Sequence, residues 1–176
     1  MKKVPIWVPV GCAVIVLAAI GVLVAGYLRG RALRKELLEQ GWDVTEYQAL
    51  AQKHATAWHA DAVLDTLRAD RVDAQGHAHL EPSDHLDFRF RSPSVTDKCA
   101  LDLAIHEQSA ALTAEIVEGA CTPAPMPAIH CRVADVMQRV AARGARAGVP
   151  ANVSLAHGAW HVEQDDLRFD LTDDCR

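Results

Sequence analysis

The fold of this 176-residue chain is decided by the stretch Leu86-Asp87-Phe88-Arg89-Phe90-Arg91, in which apolar and charged side chains alternate. Successive side chains of a β-strand point to opposite faces, so this strand has one apolar face and one charged face. Such a half-buried strand is typical of an antiparallel sheet that is covered on one side only.

The same alternation continues along the chain. Two segments have an apolar residue at every second position: Leu101, Leu103 and Ile105, then Leu112, Ala114 and Ile116. With the turn-forming residues 107–110 between them, these segments predict a hairpin. Three more strands are predicted over residues 151–157, 160–163 and 167–171, with a tight turn at His157-Gly158-Ala159.

Helical periodicity precedes and follows these strands. Asp43, with Glu46 three residues later, matches the capping box that begins a helix. Two apolar stripes follow this cap, the first formed by Val44, Tyr47, Leu50, Ala51 and Trp58 and the second by Ala60, Val63, Leu64 and Leu67. The phase change near His59 predicts a bend or two consecutive helices. A last helical stripe comprises Val133, Val136, Met137, Val140 and Ala141.

These elements predict an α+β fold in which helices pack on one face of an antiparallel sheet. The sequence leaves open whether the domain is a tandem repeat of helix and meander, with halves 43–121 and 128–176. In favour of a repeat, Ala60-Asp61 and Ala134-Asp135 each precede a helical pattern, and residues 84–90 have a counterpart in residues 165–171. Because Asp, Ala and Leu are common, chance agreement is the alternative.

An N-terminal transmembrane helix is predicted because no charged residue occurs from Val4 to Leu28. About 20 helical residues span a bilayer core. A cleaved signal peptide ending near Val24-Ala25-Gly26 is the alternative, but the apolar run is longer than a signal sequence needs. The prediction is an anchor over residues 1–29 with a short cytoplasmic N-terminus, a basic juxtamembrane helix or stalk over 30–42, and a soluble domain over 43–176.

Flanking charges and cysteines disagree about orientation. The cluster Arg29, Arg31, Arg34 and Lys35, which is predicted to contact lipid headgroups, slightly favours a cytoplasmic domain. The even set Cys99, Cys121, Cys131 and Cys175 contains no C-x-x-C pair and is typical of disulfides in an oxidising compartment. We therefore expect an inner-membrane protein with a periplasmic domain. The open end of the hairpin favours a Cys99–Cys121 disulfide, which leaves Cys131 with Cys175.

A resemblance follows from this element order. A helix and then a curled antiparallel sheet, twice over and behind a membrane anchor, resembles the PepSY and cystatin-like class of envelope domains over residues 44–171. The segments at residues 72–76 and 88–93 also resemble uncharacterised single-pass envelope proteins of high-GC bacteria, and 13 Arg against five Lys agrees with such a source. The resemblance implies an envelope domain of α+β fold and identifies no functional residue.

Composition and motifs narrow the function. Residues 41–176 contain 21 Asp and Glu against 12 Lys and Arg, a formal charge of −9 that repels a phosphate backbone, so no nucleic acid is expected as a partner. The sequence contains no G-x-S-x-G motif and no glycine-rich phosphate loop, so no catalytic or cofactor-binding residue is predicted. We expect the domain to bind an envelope protein or a ligand without catalysing a reaction.

Histidines suggest the alternative, a metal-dependent or hydrolytic envelope enzyme. His77 and His79 lie on one side of an extended segment, and His85 follows a few residues later. Three such side chains could converge on zinc or copper. The interleaved Ala78 and Leu80 instead favour an ordinary strand with its histidines towards solvent.

Overall fold

A computed structural model of the chain describes residues 40–105, 112–117 and 128–175. Its elements in chain order are β1 (Trp42–Asp43), α1 (Val44–Trp58), β2 (Val63–Val72), β3 (His77–Ala78), β4 (Leu86–Arg91), β5 (Ala100–Ile105), β6 (Leu112–Val117), α2 (Val133–Ala142), β7 (Ala151–Ala156), β8 (Ala159–Gln164) and β9 (Leu167–Thr172). The α+β class predicted from the sequence is confirmed.

The described strands form one antiparallel sheet. Its main order is β6-β5-β4-β2-β7-β8-β9, and each neighbouring pair is antiparallel. The short strand β3 pairs with the end of β2 and with β1. Strands β2 and β7 therefore lie at the centre, and the strands that follow each of them run outwards to opposite edges.

The core lies between the helices and one face of the sheet. Phe88 of β4 pairs with Leu103 of β5, which puts the apolar positions of both strands on the same face. Helix α1 packs on β2 and β4 and contacts α2. The largest fully buried side chains are Trp42, Trp160, Phe88, Phe90, Leu67, Leu86 and Leu103. On the opposite face Arg89 pairs with Asp102 at 2.7 Å, as the alternation predicts.

The predicted N-terminus of the first helix is confirmed. The Asp43 carboxylate accepts hydrogen bonds from the backbone amides of Thr45 and Glu46, at 2.8 and 3.2 Å. These bonds satisfy two of the amides that every helix N-terminus leaves unpaired. The stripe predicted behind the cap is correct in part, because Val44 and Ala51 are buried but Leu50 is 41% exposed.

The predicted second helical stripe at residues 60–67 is wrong, because this segment enters strand β2. Two register shifts interrupt the strand, one between Leu64 and Thr66 and one between Ala69 and Val72. A β-bulge places two residues opposite one and so displaces the alternation of faces. Buried apolar residues consequently stand at 64, 67, 69 and 72, with intervals of three, two and three that imitate a helix.

The residue correspondences predicted for two halves are not equivalent in the structure. Ala60-Asp61 precedes a strand, whereas Ala134-Asp135 lies inside α2. Residues 84–90 lead into β4, the first strand beyond β2 in the sheet, while residues 165–171 lead into β9, the second strand beyond β7. The alignment is displaced by one strand. The order of a helix followed by antiparallel strands nevertheless occurs twice.

Three predictions concern residues outside the described ranges: the anchor from Val4 to Leu28, the basic cluster after it, and Cys121 as a disulfide partner. They remain predictions. Within the described ranges no helix is both long and apolar enough to cross a membrane.

Candidate functional site

The turn after β2 forms one side of a cleft. The Asp73 carboxylate accepts hydrogen bonds from the backbone amides of Gln75 and His77, both at 2.9 Å. Gly76 completes the turn with a φ of +90° and packs so closely on Ala134 that an added Cβ would stand 3.1 Å from its backbone nitrogen. The turn is therefore fixed against the first turn of α2.

Two histidines share the carboxylate of this turn. Asp73 Oδ2 lies 3.0 Å from His79 Nε2 and 3.6 Å from His77 Nδ1. Burial alone would raise the pKa of the Asp73 carboxyl, but the hydrogen bonds from the His79 ring and from the amides of His77 and Gln75 outweigh it and lower the pKa. The carboxylate is therefore ionised at neutral pH and orients the His79 ring at the cleft.

The loop between α2 and β7 forms the opposite side, and Gln164 holds it in place. The Gln164 side chain is only 1% exposed. Its Oε1 accepts a hydrogen bond from the amide of Arg146 at 2.6 Å. Its Nε2 donates to the carbonyls of Arg146 and Val149, at 3.1 and 2.7 Å. One buried amide thus supplements the few backbone hydrogen bonds of this irregular loop.

The cleft between these two sides has a volume of about 610 Å³. Ligand pockets commonly measure roughly 300 to 1,000 Å³. Apolar side chains contribute much of the lining: Met137, Ala141, Ala145, Val149 and Pro150. Arg71, Asp73, His79 and Arg146 add charged or polar groups. The arrangement suits a small molecule or side chain with an apolar body and one polar group.

The two guanidinium groups at the cleft are already paired. Arg71 lies 2.9 Å from Glu81, and Arg146 lies 2.9 Å from Asp165 and 2.6 Å from Asp166. These pairs are exposed, so each contributes little to stability. They do fix where the positive charges stand, which favours a ligand that binds without displacing a carboxylate.

The candidate ligands of the alternative metal site do not all lie together. His77 and His79 share Asp73, but the ring of His85 lies 3.2 Å from Asp87 instead. Among the residues that the structure describes, no group of three His, Cys, Asp or Glu side chains is placed to hold a metal ion. Ala78 and Leu80 are buried, which agrees with the favoured interpretation of this segment as an ordinary strand.

A predicted cysteine pair is present at the other end of α2. Cys131 and Cys175 form a disulfide with a Cα–Cα distance of 5.0 Å. Cys99 is buried and also disulfide-bonded. Its predicted partner Cys121 lies outside the described part of the chain.

One carboxylate fixes the segments that carry the Cys131–Cys175 disulfide. Asp173 accepts hydrogen bonds from the amides of His130 and Cys131, at 2.6 and 2.8 Å, and from Trp160 Nε1 at 2.9 Å. Because Trp160 is fully buried, Asp173 joins the end of β9 to the core as well as to the start of α2.

The residues that build the cleft were not predicted from the sequence. Asp73 opens the turn after β2, and an aspartate that bonds to the amide two residues later is a known turn signal. Gln164 follows Trp160 and Val162 at the same two-residue interval, which places it on the core face of β8. That interval is the signal of a core-facing position, whereas the strand predicted from the sequence ends one residue earlier, at 163. The loop residues 145–150 gave no signal.

These features define an antiparallel α+β domain with a ligand-sized cleft beside the C-terminal half of its second helix. Comparison of the chain with protein-family models, with curated proteins and with solved structures finds no match. The roles of the cleft residues therefore follow from their geometry.

Proposed function

We propose that the chain is a single-pass membrane protein whose α+β domain lies outside the cytoplasm and binds a ligand or another envelope component without catalysing a reaction. The observation that carries the binding role is the cleft, which combines an apolar lining with a fixed carboxylate and imidazole at Asp73 and His79. Binding sites of this kind have mostly apolar walls and a few placed polar groups.

The location rests on sequence and on cysteine chemistry. The uncharged run from Val4 to Leu28 is long enough to span a bilayer, and the basic residues after it suit lipid headgroups. The Cys131–Cys175 disulfide supports a location outside the cytoplasm, because disulfides persist mainly in oxidising compartments. Both observations support a periplasmic domain with its anchor in the inner membrane.

The architecture supports a finer proposal, that the domain consists of two related halves. Helix α1 precedes the strands that start with β2, and α2 precedes those that start with β7. The two leading strands are antiparallel neighbours at the centre of the sheet. The proposed halves would then meet at the β2–β7 pair, and each would have the order of a helix followed by antiparallel strands on which the resemblance to the PepSY and cystatin-like class rests.

A fusion of alkaline phosphatase after Arg176 tests the orientation. We expect an active phosphatase that stays in the membrane fraction after a carbonate wash, because this enzyme needs an oxidising compartment for its disulfides. The control is the same fusion without residues 4–28, which should be inactive. Activity of a β-galactosidase fused at the same position would instead put the domain in the cytoplasm, and a soluble phosphatase fusion would indicate that the leader is cleaved.

Methyl NMR of the full chain in detergent micelles tests the cleft. Met137 is one of three methionines and lines the cleft, so its labelled methyl group reports binding there. We expect some apolar fragments that carry one carboxylate or one amine to shift this signal. Ala141→Trp, which fills the cleft, should weaken their binding at least about tenfold.

Ala142→Trp is the matched control, because Ala142 is the next exposed alanine of α2 and lies outside the cleft lining. It should leave fragment binding within about twofold of the unchanged chain. Equal binding by both variants, or no fragment that moves the Met137 signal, would be incompatible with a ligand site here.

A hydrolytic or metal-dependent enzyme is the second candidate. The Asp73–His79 pair favours it, since a carboxylate at 3.0 Å can orient an imidazole as a general base. Metal analysis of the purified chain separates the metal-dependent form of this candidate from simple binding. Turnover of a substrate that His79→Gln abolishes while binding persists would favour the hydrolytic form.

A further inference from the structure

The disulfide between Cys131 and Cys175 has a cation beside it. Arg139 Nη1 lies 3.5 Å from Cys175 Sγ and 3.8 Å from Cys131 Sγ. Its position is fixed by a hydrogen bond to the carbonyl of Thr172 at 3.0 Å and by an ion pair with Asp174 at 2.7 Å. A guanidinium held beside a sulfur stabilises the thiolate that forms when the disulfide opens.

Cys131 has two further features that favour a thiolate. Its sulfur accepts a hydrogen bond from the backbone amide of Cys175 at 3.2 Å. It also stands two residues before the first residue of the ten-residue helix α2, where the helix dipole favours negative charge. Arg139 at the sulfur, the amide and the helix end all favour the ionised form of the same atom.

The two cysteines differ in exposure. Cys131 is 3% exposed, whereas Cys175 is partly exposed. An attacking thiolate therefore reaches Cys175, and Cys131 becomes the leaving group. A leaving thiol with a low pKa departs faster, so the sulfur that is best stabilised as a thiolate is also the one that attack at Cys175 releases.

Contacts that do not involve the sulfurs hold the two cysteines together. Asp173 binds the amides of His130 and Cys131, and Arg139 binds the carbonyl of Thr172. These bonds tie the end of β9 to the segment before α2 whether or not the disulfide is closed. The reduced cysteines would remain adjacent and able to close again.

Two carboxylates oppose the formation of a thiolate here, and both are already engaged. Asp173 accepts three hydrogen bonds from N–H groups, which point towards its carboxylate. Asp174 is paired with Arg139, and this pair lowers the pKa of Asp174 after the larger effect of its hydrogen bond with Thr172. The Arg139 guanidinium is in direct contact with both sulfurs.

We propose that Cys131–Cys175 is an exchangeable disulfide that accepts two electrons from a partner protein with a vicinal dithiol. One partner thiolate attacks Cys175 Sγ, the Cys131–Cys175 bond breaks, and Cys131 leaves as a thiolate. The second partner thiolate then attacks the mixed disulfide and releases Cys175. The partner ends as a disulfide, and the chain holds two reduced cysteines, protonated according to the pH.

Equilibration with glutathione tests this proposal on the full chain in detergent micelles. Free thiols are alkylated at each glutathione ratio, and mass spectrometry locates them. We expect Cys131 and Cys175 to become reduced at a [GSH]²/[GSSG] value at least about tenfold below that for Cys99, with the far-UV circular dichroism unchanged. Arg139→Gln should raise the value needed for Cys131 and Cys175 about tenfold.

Arg143→Gln is the matched control. Arg143 stands at the same end of α2 as Arg139. It also donates a hydrogen bond to a carbonyl of β9, that of Asp170 at 3.1 Å, and this bond does not involve a sulfur. It should leave the glutathione midpoint within about twofold of the unchanged chain. The proposal is overturned if both arginine variants shift the midpoint equally, if Cys131 and Cys99 are reduced together, or if reduction of Cys131 unfolds the domain.

Discussion

Gln164→Leu is expected to lower the free energy of unfolding by about 3 kcal/mol and to abolish fragment binding in the cleft. The substitution keeps a side chain of similar size but removes the acceptor for the amide of Arg146 and the donor for the carbonyls of Arg146 and Val149. A buried backbone group left without a partner costs about 1 to 3 kcal/mol, and movement of the loop towards water recovers part of that. Such movement dismantles one side of the cleft.

Urea unfolding followed by circular dichroism measures the stability change in the full chain in micelles, and the Met137 methyl signal measures binding. Gln138→Leu is the control with the same chemical change, because Gln138 is exposed on α2. It should change the free energy of unfolding by less than about 0.5 kcal/mol. If Gln164→Leu matched this control in stability and still bound fragments, the loop would not depend on Gln164 and the proposed cleft wall would be wrong.

Much of the sheet could be predicted because period-two alternation depends on local sequence alone. Strands β4, β5 and β6 are neighbours in the sheet in the order in which they occur in the chain, and so are β7, β8 and β9, so their register follows from residues close in sequence. Strand β2 could not be predicted in the same way. It pairs with β4 on one side and with β7, which is distant in sequence, on the other. One bulge occurs in the pairing with β4 and the other in the pairing with β7.

An aspartate accompanies each bulge of β2. Asp65 lies at the first, is 8% exposed and pairs with Arg91 at 2.7 Å. Asp70 lies at the second, is 5% exposed, pairs with Arg68 and accepts a hydrogen bond from the amide of His85. A helix prediction has no role for a buried aspartate, whereas a bulge leaves a residue that needs a polar partner. The two acids were therefore a usable signal of the strand.

The cleft was beyond prediction for a different reason. Its two sides come from the turn at residue 73 and the loop at residues 145–150, and both are held by side chains distant in sequence. Ala134 contacts Gly76 from 58 positions away, and Gln164 binds Arg146 from 18. Such contacts depend on the final packing of α2, which no local pattern specifies. The histidine pattern drew attention to this turn, where His77 and His79 share Asp73, whereas His85 pairs with Asp87 instead.

Asp173→Ala is expected to have the largest effect, a loss of about 4 kcal/mol in the free energy of unfolding. Trp160 is fully buried, and its Nε1 loses its hydrogen-bond acceptor when the carboxylate is gone. The amides of His130 and Cys131 lose the same acceptor. Hydrogen bonds to a charged group contribute about 1.5 to 3 kcal/mol each, and the bond at exposed His130 is partly replaced by water.

Asp174→Ala is the neighbouring control. Asp174 is exposed and forms an ion pair with Arg139. Because an exposed ion pair contributes little to stability, its loss should leave the urea midpoint close to that of the unchanged chain. Equal midpoints for the two alanine variants would contradict the role given to Asp173.

A double-mutant cycle separates the indole bond from the two amide bonds. Trp160→Phe removes the donor and keeps an aromatic ring, so Asp173→Ala should cost about 1.5 kcal/mol less in that background than in the unchanged chain. The remaining loss belongs to the segment before α2, where Asp173 fixes Cys131. Additive effects of the two substitutions would mean that the indole finds another acceptor. In that case Asp173 acts on the disulfide segment alone, and the β9 end is joined to the core by packing rather than by this carboxylate.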